Sequence, residues 1–335
     1  MIIQEIKYNS RFFFKKPEII LVTDQGKIKL DFEINKEQIK ELNRILAGTK
    51  INSLQDVEKT KKDLDSINKE LTDNIQLAII NSSKQGWMIV NKTTKQVPRP
   101  VYSLLKKDTG IKDFFVMSLN SKNFDATLQA FRDVQSKINK KLNGETLKDD
   151  EKIISLIKEA IDEIYQDLDF EIRIGAVFNN YSNGKYIYSG KQLTEEEQIN
   201  YLQNLIDTYD LLYLETPFYE NSTETYKKFT EEHKNICLIS INSRINDYTK
   251  ALNEELCNTI VYKYTNIKDF RVNIQNIKDY GMNIILEGNS KIVNLASGFM
   301  IPLIKINEKN SSEIIKQITQ TTLSIQEYAT KEQNV

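Results

Sequence analysis

The residues with the most chemical potential stand at the ends of short apolar runs. Glu215, Lys263 and Lys305 each follow a run with the length of a buried strand. A lysine amine beside a carboxylate can transfer protons, or the two can form an ion pair without any catalysis. Spacing alone leaves both interpretations open. The other residues that we place at strand ends are Asp113, Val177, Asn242 and Glu287.

Two classes of active site are excluded by what the chain lacks. His233 is the only histidine, so a histidine-based catalytic triad and a multi-histidine metal site are excluded. Its charged neighbours Glu231, Glu232 and Lys234 predict a solvated residue at a helix end. Two cysteines, Cys237 and Cys257, are too few for a disulfide framework or a cysteine-rich zinc site, and we expect reduced, partly buried thiols.

The composition is that of a folded protein without a strong net charge. The 335 residues, 40% of them hydrophobic and 28% charged, suit one large domain with a smaller one. The formal charge of -1 gives no general attraction to nucleic acid or to an anionic membrane. The start has no signal-peptide core, and no apolar stretch approaches the roughly 18 residues that span a bilayer. We therefore expect a cytoplasmic protein that binds neither nucleic acid nor membrane.

The elements that must position these residues fall into two parts. In the first, an Asp24-Gln-Gly26 turn between alternating runs predicts a β-hairpin, and helical periodicity follows over 36–46 and from about 56 to 80. This predicts an N-terminal α+β domain over 1–95.

The second part, 96–335, alternates short apolar runs with amphipathic helices. Such alternation predicts parallel strands joined by right-handed crossovers. With an eighth strand near Trp87-Met-Ile-Val90 or Tyr102, the runs predict a closed α/β barrel, in which strand ends converge on one mouth. The seven clear runs are 114–117, 170–178, 211–214, 236–239, 259–262, 283–286 and 299–304.

Several segments match, in order, the motifs of one enzyme family. Leu214-Glu-Thr-Pro-Phe218 is similar to a Glu-Asp-Pro-Phe strand end. The segment 257–267 is similar to Cys-Asn-Ala-Leu-Leu-Leu-Lys-Val-Asn-Gln-Ile, and 73–81 stands where the family has Gly-Ala-Asn-Ala-Ile-Leu-Ala-Val-Ser. The family is enolase, the glycolytic phosphopyruvate hydratase, which the chain resembles over almost its whole length. Further matches lie at 111–117, 174–177, 183–186, 303–305 and 313–327.

The resemblance implies an eight-stranded α/β barrel of the TIM-like enolase type, capped by an N-terminal α+β domain. It also implies a lysine base, a neighbouring cation and Mg²⁺ held by carboxylates at three strand ends. Lys263 and Lys305 match the base and its neighbour, and Glu215 matches one metal ligand. Val177 replaces the first ligand, and no carboxylate occurs from Leu238 through Asn246 to supply the third.

The family's substrate loops are also altered. Its proton-donating Glu lies in a loop that is replaced here by the shorter 140–145, and its phosphate-binding loop is replaced by 286–290, in which Glu287 would repel a phosphate. Its mobile lid survives as Ser10-Arg11, followed by Phe12-Phe-Phe14. The aromatic run predicts either a buried strand of the N-terminal domain, or a plug over the mouth or a patch for a partner.

We therefore expect a catalytically inactive enolase-like protein that acts in binding or assembly, as a homo-oligomer or with a protein partner, and without a cofactor. The alternative is a lyase of enolase type. That enzyme would be a weak phosphopyruvate hydratase that uses Mg²⁺, or a repurposed member of the superfamily that works through Lys263 and Lys305.

Overall fold

The computed structural model describes residues 1–9, 18–121, 123–145, 147–166, 168–242, 248–307 and 311–333. The first elements form a three-stranded antiparallel sheet with helices packed on it. The predicted hairpin is confirmed, with Ile20 opposite Lys29 across its two strands. These elements are β1 (Ile3–Asn9), β2 (Glu18–Thr23), β3 (Lys27–Leu30), α1 (Lys36–Leu46), α2 (Leu54–Lys59), α3 (Lys61–Asn81) and α4 (Gly86–Val90).

The rest of the described chain is built around a closed barrel of eight strands, as the sequence predicted. A small three-stranded sheet, β7 to β9, follows the sixth strand. The strands are β4 (Arg99–Lys106), β5 (Asp113–Leu119), β6 (Glu171–Val177), β7 (Tyr181–Ser182), β8 (Lys185–Tyr188), β9 (Lys191–Leu193), β10 (Leu211–Glu215), β11 (Leu238–Asn242), β12 (Thr259–Lys263), β13 (Asn283–Glu287) and β14 (Leu303–Ile306). The helices are α5 (Phe124–Leu142), α6 (Asp150–Tyr165), α7 (Glu195–Tyr209), α8 (Thr223–His233), α9 (Tyr248–Asn253), α10 (Ile267–Asp279), α11 (Val293–Gly298) and α12 (Ser311–Gln333).

The strands of the barrel are not all parallel, and the prediction of parallel pairing throughout was wrong. Strand β5 runs antiparallel to both β4 and β6. The connection 107–112 between β4 and β5 is too short for a crossover helix, so the chain turns back directly. The candidate strand Trp87–Val90 was also wrong, because it forms helix α4, while Tyr102 does lie in the eighth strand, β4.

The inside of the barrel is a packed apolar core. Phe115 and Tyr213 are buried there with aliphatic residues of neighbouring strands, and their ring centroids lie 6.1 Å apart. Gly175 on β6 leaves the space that Tyr213 on β10 fills, since a Cβ at Gly175 would lie 2.9 Å from the Cβ of Tyr213. Among the helices of the described ranges, none combines the length and the apolar character that crossing a membrane requires.

Gly175→Ala should destabilise the protein by about 1 to 3 kcal/mol, because the added methyl group forces Tyr213 or its strand to move in a filled core. Chemical denaturation monitored by circular dichroism measures this change. An unaltered unfolding midpoint would show that Tyr213 moves aside at no cost.

Candidate functional site

Three neighbouring strands place an acidic, an apolar and an acidic side chain next to one another on the barrel rim. Asp113 on β5 is opposite Val177 on β6, and Val177 is opposite Glu215 on β10. Glu215 and Val177 end their strands as predicted. Asp113 lies at the same mouth for a different reason, because it begins β5 and this strand runs antiparallel.

Glu215 is the centre of a buried polar network. Lys305 forms an ion pair with its Oε2, and the Tyr213 hydroxyl donates to the same oxygen. The other oxygen, Oε1, accepts a hydrogen bond of 2.8 Å from Nδ2 of Asn242. The side chains of Glu215 and Lys305 are only 3% and 10% exposed. The predicted ion pair between Glu215 and a strand-end lysine is therefore confirmed for Lys305.

The network sets the charge state of Glu215. Burial by itself would raise the pKa of this carboxyl, but Lys305, Tyr213 and Asn242 together lower it below its ordinary value. Burial raises the pKa of Tyr213, and the adjacent carboxylate raises it further. Tyr213 is therefore a neutral donor to an ionised Glu215 at neutral pH. Lys305 also lies over an aromatic face, with its Nζ 5.3 Å from the ring centroid of Phe115.

Asp113 is a second buried carboxyl at the mouth, and its environment differs. The Ser103 hydroxyl donates to its Oδ1 at 2.7 Å, and Nζ of Lys106 lies 3.6 Å from its Oδ2. Burial raises the pKa of Asp113 from 3.8 to about 6, against the opposing effects of Ser103, Lys106 and Lys305. Asp113 therefore changes its charge near neutral pH.

Sequence reasoning missed several members of this network. Tyr213 and Ser240 lie inside strands, and Ser103 lies within β4. A signal existed for Tyr213, because residues two apart on a strand face the same side and Glu215 is two positions later. Ser240 is opposite Glu215 in the strand register and its hydroxyl donates to that of Tyr213 at 3.3 Å. Only the order of strands around the barrel reveals that contact.

Lys263, unlike the members of this buried network, is exposed to solvent. It ends β12 and is opposite Glu287 at the end of β13. The structure therefore brings Glu215 together with Lys305 and places Lys263 on the open rim. Asn242, the remaining strand-end candidate, ends β11 and bonds to Glu215.

The backbone directly after Glu215 is strained. Thr216 has a φ of 50°, a left-handed conformation that a β-branched residue rarely adopts. Its N–H donates to the carbonyl of Ser240 at 2.8 Å and its carbonyl accepts from Asn179 at 3.2 Å, which holds it in place. The Thr216 hydroxyl is buried and makes no hydrogen bond within the described part of the chain.

The residues at this mouth do not fit Mg²⁺. Both oxygens of Glu215 already accept hydrogen bonds from protein groups. The side chain of Val177, between the two acids, has no oxygen and packs against the barrel interior. Across the described ranges, no group of three or more histidine, cysteine, aspartate or glutamate residues is arranged to hold a metal ion.

The histidine and the two cysteines that the sequence analysis considered are all buried. The prediction of a solvated His233 was wrong: it is buried, its Nδ1 lies 2.8 Å from the carbonyl of Phe229, and the two rings stack. Cys237 and Cys257 are free and buried, as expected, and burial raises the pKa of each thiol to about 12. The aromatic run Phe12–Phe14 lies outside the described residues.

Comparison with known proteins adds an independent line of evidence. The enolase of Archaeoglobus fulgidus is 27% identical over 167 residues, which cover 43% of this chain and 41% of that enolase. The enolase of Halorubrum lacusprofundi is 36% identical over 81 residues, covering 23% and 20% of the two chains. The chain is a divergent relative of the enolases. The enolase of Methanosphaera stadtmanae is 42% identical over 64 residues, 18% of this chain and 16% of the relative. No family profile matches the chain.

The match to these enolases is partial. The matched segment spans about two fifths of the length of the Archaeoglobus fulgidus enolase and a smaller share of the other two. The closed barrel and the separate N-terminal sheet agree with an enolase-type fold. Sequence similarity and fold therefore agree on the family relationship, while the activity of the relatives is a separate question.

Glu215→Ala should destabilise the protein by about 3 to 5 kcal/mol, because it leaves Lys305 buried without its counter-charge. Urea denaturation at pH 7 measures the free energy of unfolding. Glu231→Ala is the matched control, since Glu231 pairs with Lys234 on the surface with 73% of its side chain exposed, and it should change stability little. Equal effects of the two substitutions would show that the buried pair does not stabilise the fold.

Asp113→Asn should increase stability at pH 8 relative to wild type by roughly 2 to 3 kcal/mol, and much less at pH 4. The folded-state pKa of Asp113 is raised from 3.8 to about 6, so the folded protein binds this proton more tightly than the unfolded chain does. Its contribution is favourable at low pH and is lost as the pH rises from about 4 to about 6. Unfolding free energies across this range test the sign, and a pH-independent difference would contradict it.

Proposed function

We propose that this chain is a catalytically inactive enolase-like protein that acts in binding or assembly. The observation that carries the proposal is the state of Glu215, whose two carboxylate oxygens are occupied by Lys305, Tyr213 and Asn242. The three donors use about three of the four lone-pair sites of the carboxylate, so a metal ion would have to compete with them. These are the contacts of a buried structural charge.

The cost of losing the metal supports the same proposal. Removal of a proton next to a carboxylate builds up negative charge that enolases, by resemblance, stabilise with Mg²⁺. Mg²⁺ requires hard oxygen ligands in near-octahedral array. By the resemblance, three strand ends would supply the metal ligands. Val177 ends β6 and Asn242 ends β11, and neither has a carboxylate. Glu215 is then the only carboxylate that matches a ligand of the family. Loss of a transition-state contact of this kind costs several kcal/mol.

The residue that replaces the family's phosphate-binding loop also supports the proposal of an inactive protein. Glu287 ends β13 where the family has its phosphate-binding loop, and the side chain is half-buried. A carboxylate there repels a phosphate group instead of anchoring it. Loss of this anchor removes a contact that would orient a phosphorylated substrate against Lys263 or Lys305.

The proposed role is that of a cytoplasmic homo-oligomer or a partner of another protein, with no resident cofactor and without binding to nucleic acid or membrane. The balanced charge of the chain supports the last two points, because 46 basic and 47 acidic residues give no general electrostatic attraction to polyanions. An analytical ultracentrifugation run would give the oligomeric state.

A second candidate is a lyase of enolase type, either a weak phosphopyruvate hydratase with Mg²⁺ or a repurposed enzyme that uses Lys263 and Lys305. One observation favours it. The mouth combines Lys305 with Asp113, whose pKa is about 6, and with the strained Thr216 beside Glu215. Perturbed carboxyls and strained backbone both cluster at active sites.

We expect no binding of Mg²⁺ with a micromolar dissociation constant, and no dehydration of 2-phosphoglycerate above the buffer rate. Calorimetric titration with Mg²⁺, and absorbance of phosphoenolpyruvate at high protein concentration with millimolar Mg²⁺, measure the two quantities. The variant Val177→Asp/Asn242→Asp restores acidic groups on both sides of Glu215 and should bind Mg²⁺ more tightly than wild type.

Micromolar Mg²⁺ binding by the wild type together with turnover would overturn the proposal in favour of the hydratase. Turnover of another carbon acid without Mg²⁺, abolished by Lys305→Met, would favour the repurposed enzyme. Circular dichroism of each variant verifies that the fold is retained.

A further inference from the structure

A polar contact joins helix α3 of the N-terminal part to the barrel next to Lys263. Oδ1 of Asp73 accepts a hydrogen bond of 2.6 Å from the Tyr264 hydroxyl and one of 3.2 Å from the backbone N–H of Ile267. Tyr264 directly follows the last residue of β12, and Ile267 begins α10. One carboxylate oxygen therefore holds both ends of the connection between this strand and its helix.

The contact is partly shielded from water and includes a charged group. Asp73 and Tyr264 are each half-buried. Burial raises the pKa of Asp73, while Tyr264 and the Ile267 amide act against this shift and favour the carboxylate. Burial and the Asp73 charge both raise the pKa of Tyr264, so the hydroxyl remains a donor. Hydrogen bonds to an ionised group in such surroundings are stronger than those between neutral groups.

The residues that make the contact are both departures from the enolase motifs. Asp73 stands where the motif has glycine, and Tyr264 where it has valine. Neither motif residue has a polar side chain. The two departures lie 191 positions apart in the sequence and yet meet at 2.6 Å.

Hydrogen bonds on both sides of Asp73 fix the position of helix α3. The helix is interrupted at Asn68, where the backbone is extended (φ -163°, ψ 109°), and Asp73 lies just over one turn later. Across the interruption, the Thr72 hydroxyl donates to Oδ1 of Asp65 at 2.6 Å. At the far end of the helix, Asn81 donates to the carbonyl of Lys291 at 2.7 Å. Helix α3 is therefore attached to the barrel part at two separated points.

We propose that Asp73, Tyr264 and the Ile267 amide form an interdomain clasp that fixes the N-terminal part on the barrel and holds the chain directly after Lys263 in place. The clasp joins α3 to the connection between β12 and α10. It is a property of this chain and is independent of whether the mouth is catalytic.

Hydrogen exchange followed by mass spectrometry or NMR tests the clasp at its own amide. In the full chain, Asp73→Ala should speed exchange of the Ile267 amide by about tenfold or more, since its acceptor is removed. Tyr264→Phe should speed it less. The double variant should exchange no faster than Asp73→Ala, because both substitutions act on one contact.

The matched control is an ion pair that joins the same two parts. Arg271 on α10 contacts Glu58 on α2 with Nε and Oε1 2.7 Å apart, but its side chain is 46% exposed. Glu58→Ala should therefore leave Ile267 exchange nearly unchanged. The clasp is overturned if Ile267 exchange is unaltered in Asp73→Ala, if the two effects add in the double variant, or if exchange rises equally at buried amides of β10, which would indicate global destabilisation.

Discussion

A buried ionised carboxylate is the constraint on which the mouth of this barrel depends. A charge inside a protein is costly unless it is paired and hydrogen-bonded. Glu215 meets this requirement with the Tyr213 phenol from its own strand, the Asn242 amide from β11 and the Lys305 cation from β14. Asn242 and Lys305 reach it only because the barrel brings their strand ends to the same mouth. The pair with Lys305 therefore links closure of the barrel to the charge state of its interior.

The same network gives two residues that match family positions a structural role. Lys305 and Glu215 match family positions, yet they neutralise each other. The presence of both residues is compatible with a structural role, because removal of either one leaves the other buried without its counter-charge. Asp113 differs, because burial has a larger effect on its pKa than its charged neighbours have. The mouth thus contains one carboxyl fixed as an anion and another that titrates.

Much of this architecture could be predicted from the sequence. Alternation of apolar runs and helices predicted the barrel, and the strand-end positions predicted an ion pair of Glu215 with Lys263 or Lys305, which forms with Lys305. The reversed strand β5 was not predicted, because hydrophobic periodicity carries no direction and only the short 107–112 connection decides it. His233 was misplaced because charged neighbours on a helix describe one face, while the ring points to the other. The Asp73–Tyr264 contact was beyond sequence reasoning, since each residue is unremarkable by itself.

Val177 limits how a metal site could be built at this mouth. It lies between Asp113 and Glu215, so an aspartate introduced there alone would place a third acid beside two others without a metal to compensate it. The single substitution Val177→Asp is therefore unfavourable for folding. Because the surrounding network already satisfies Glu215 without a metal, a metal site at this mouth would require acids at more than one position at once.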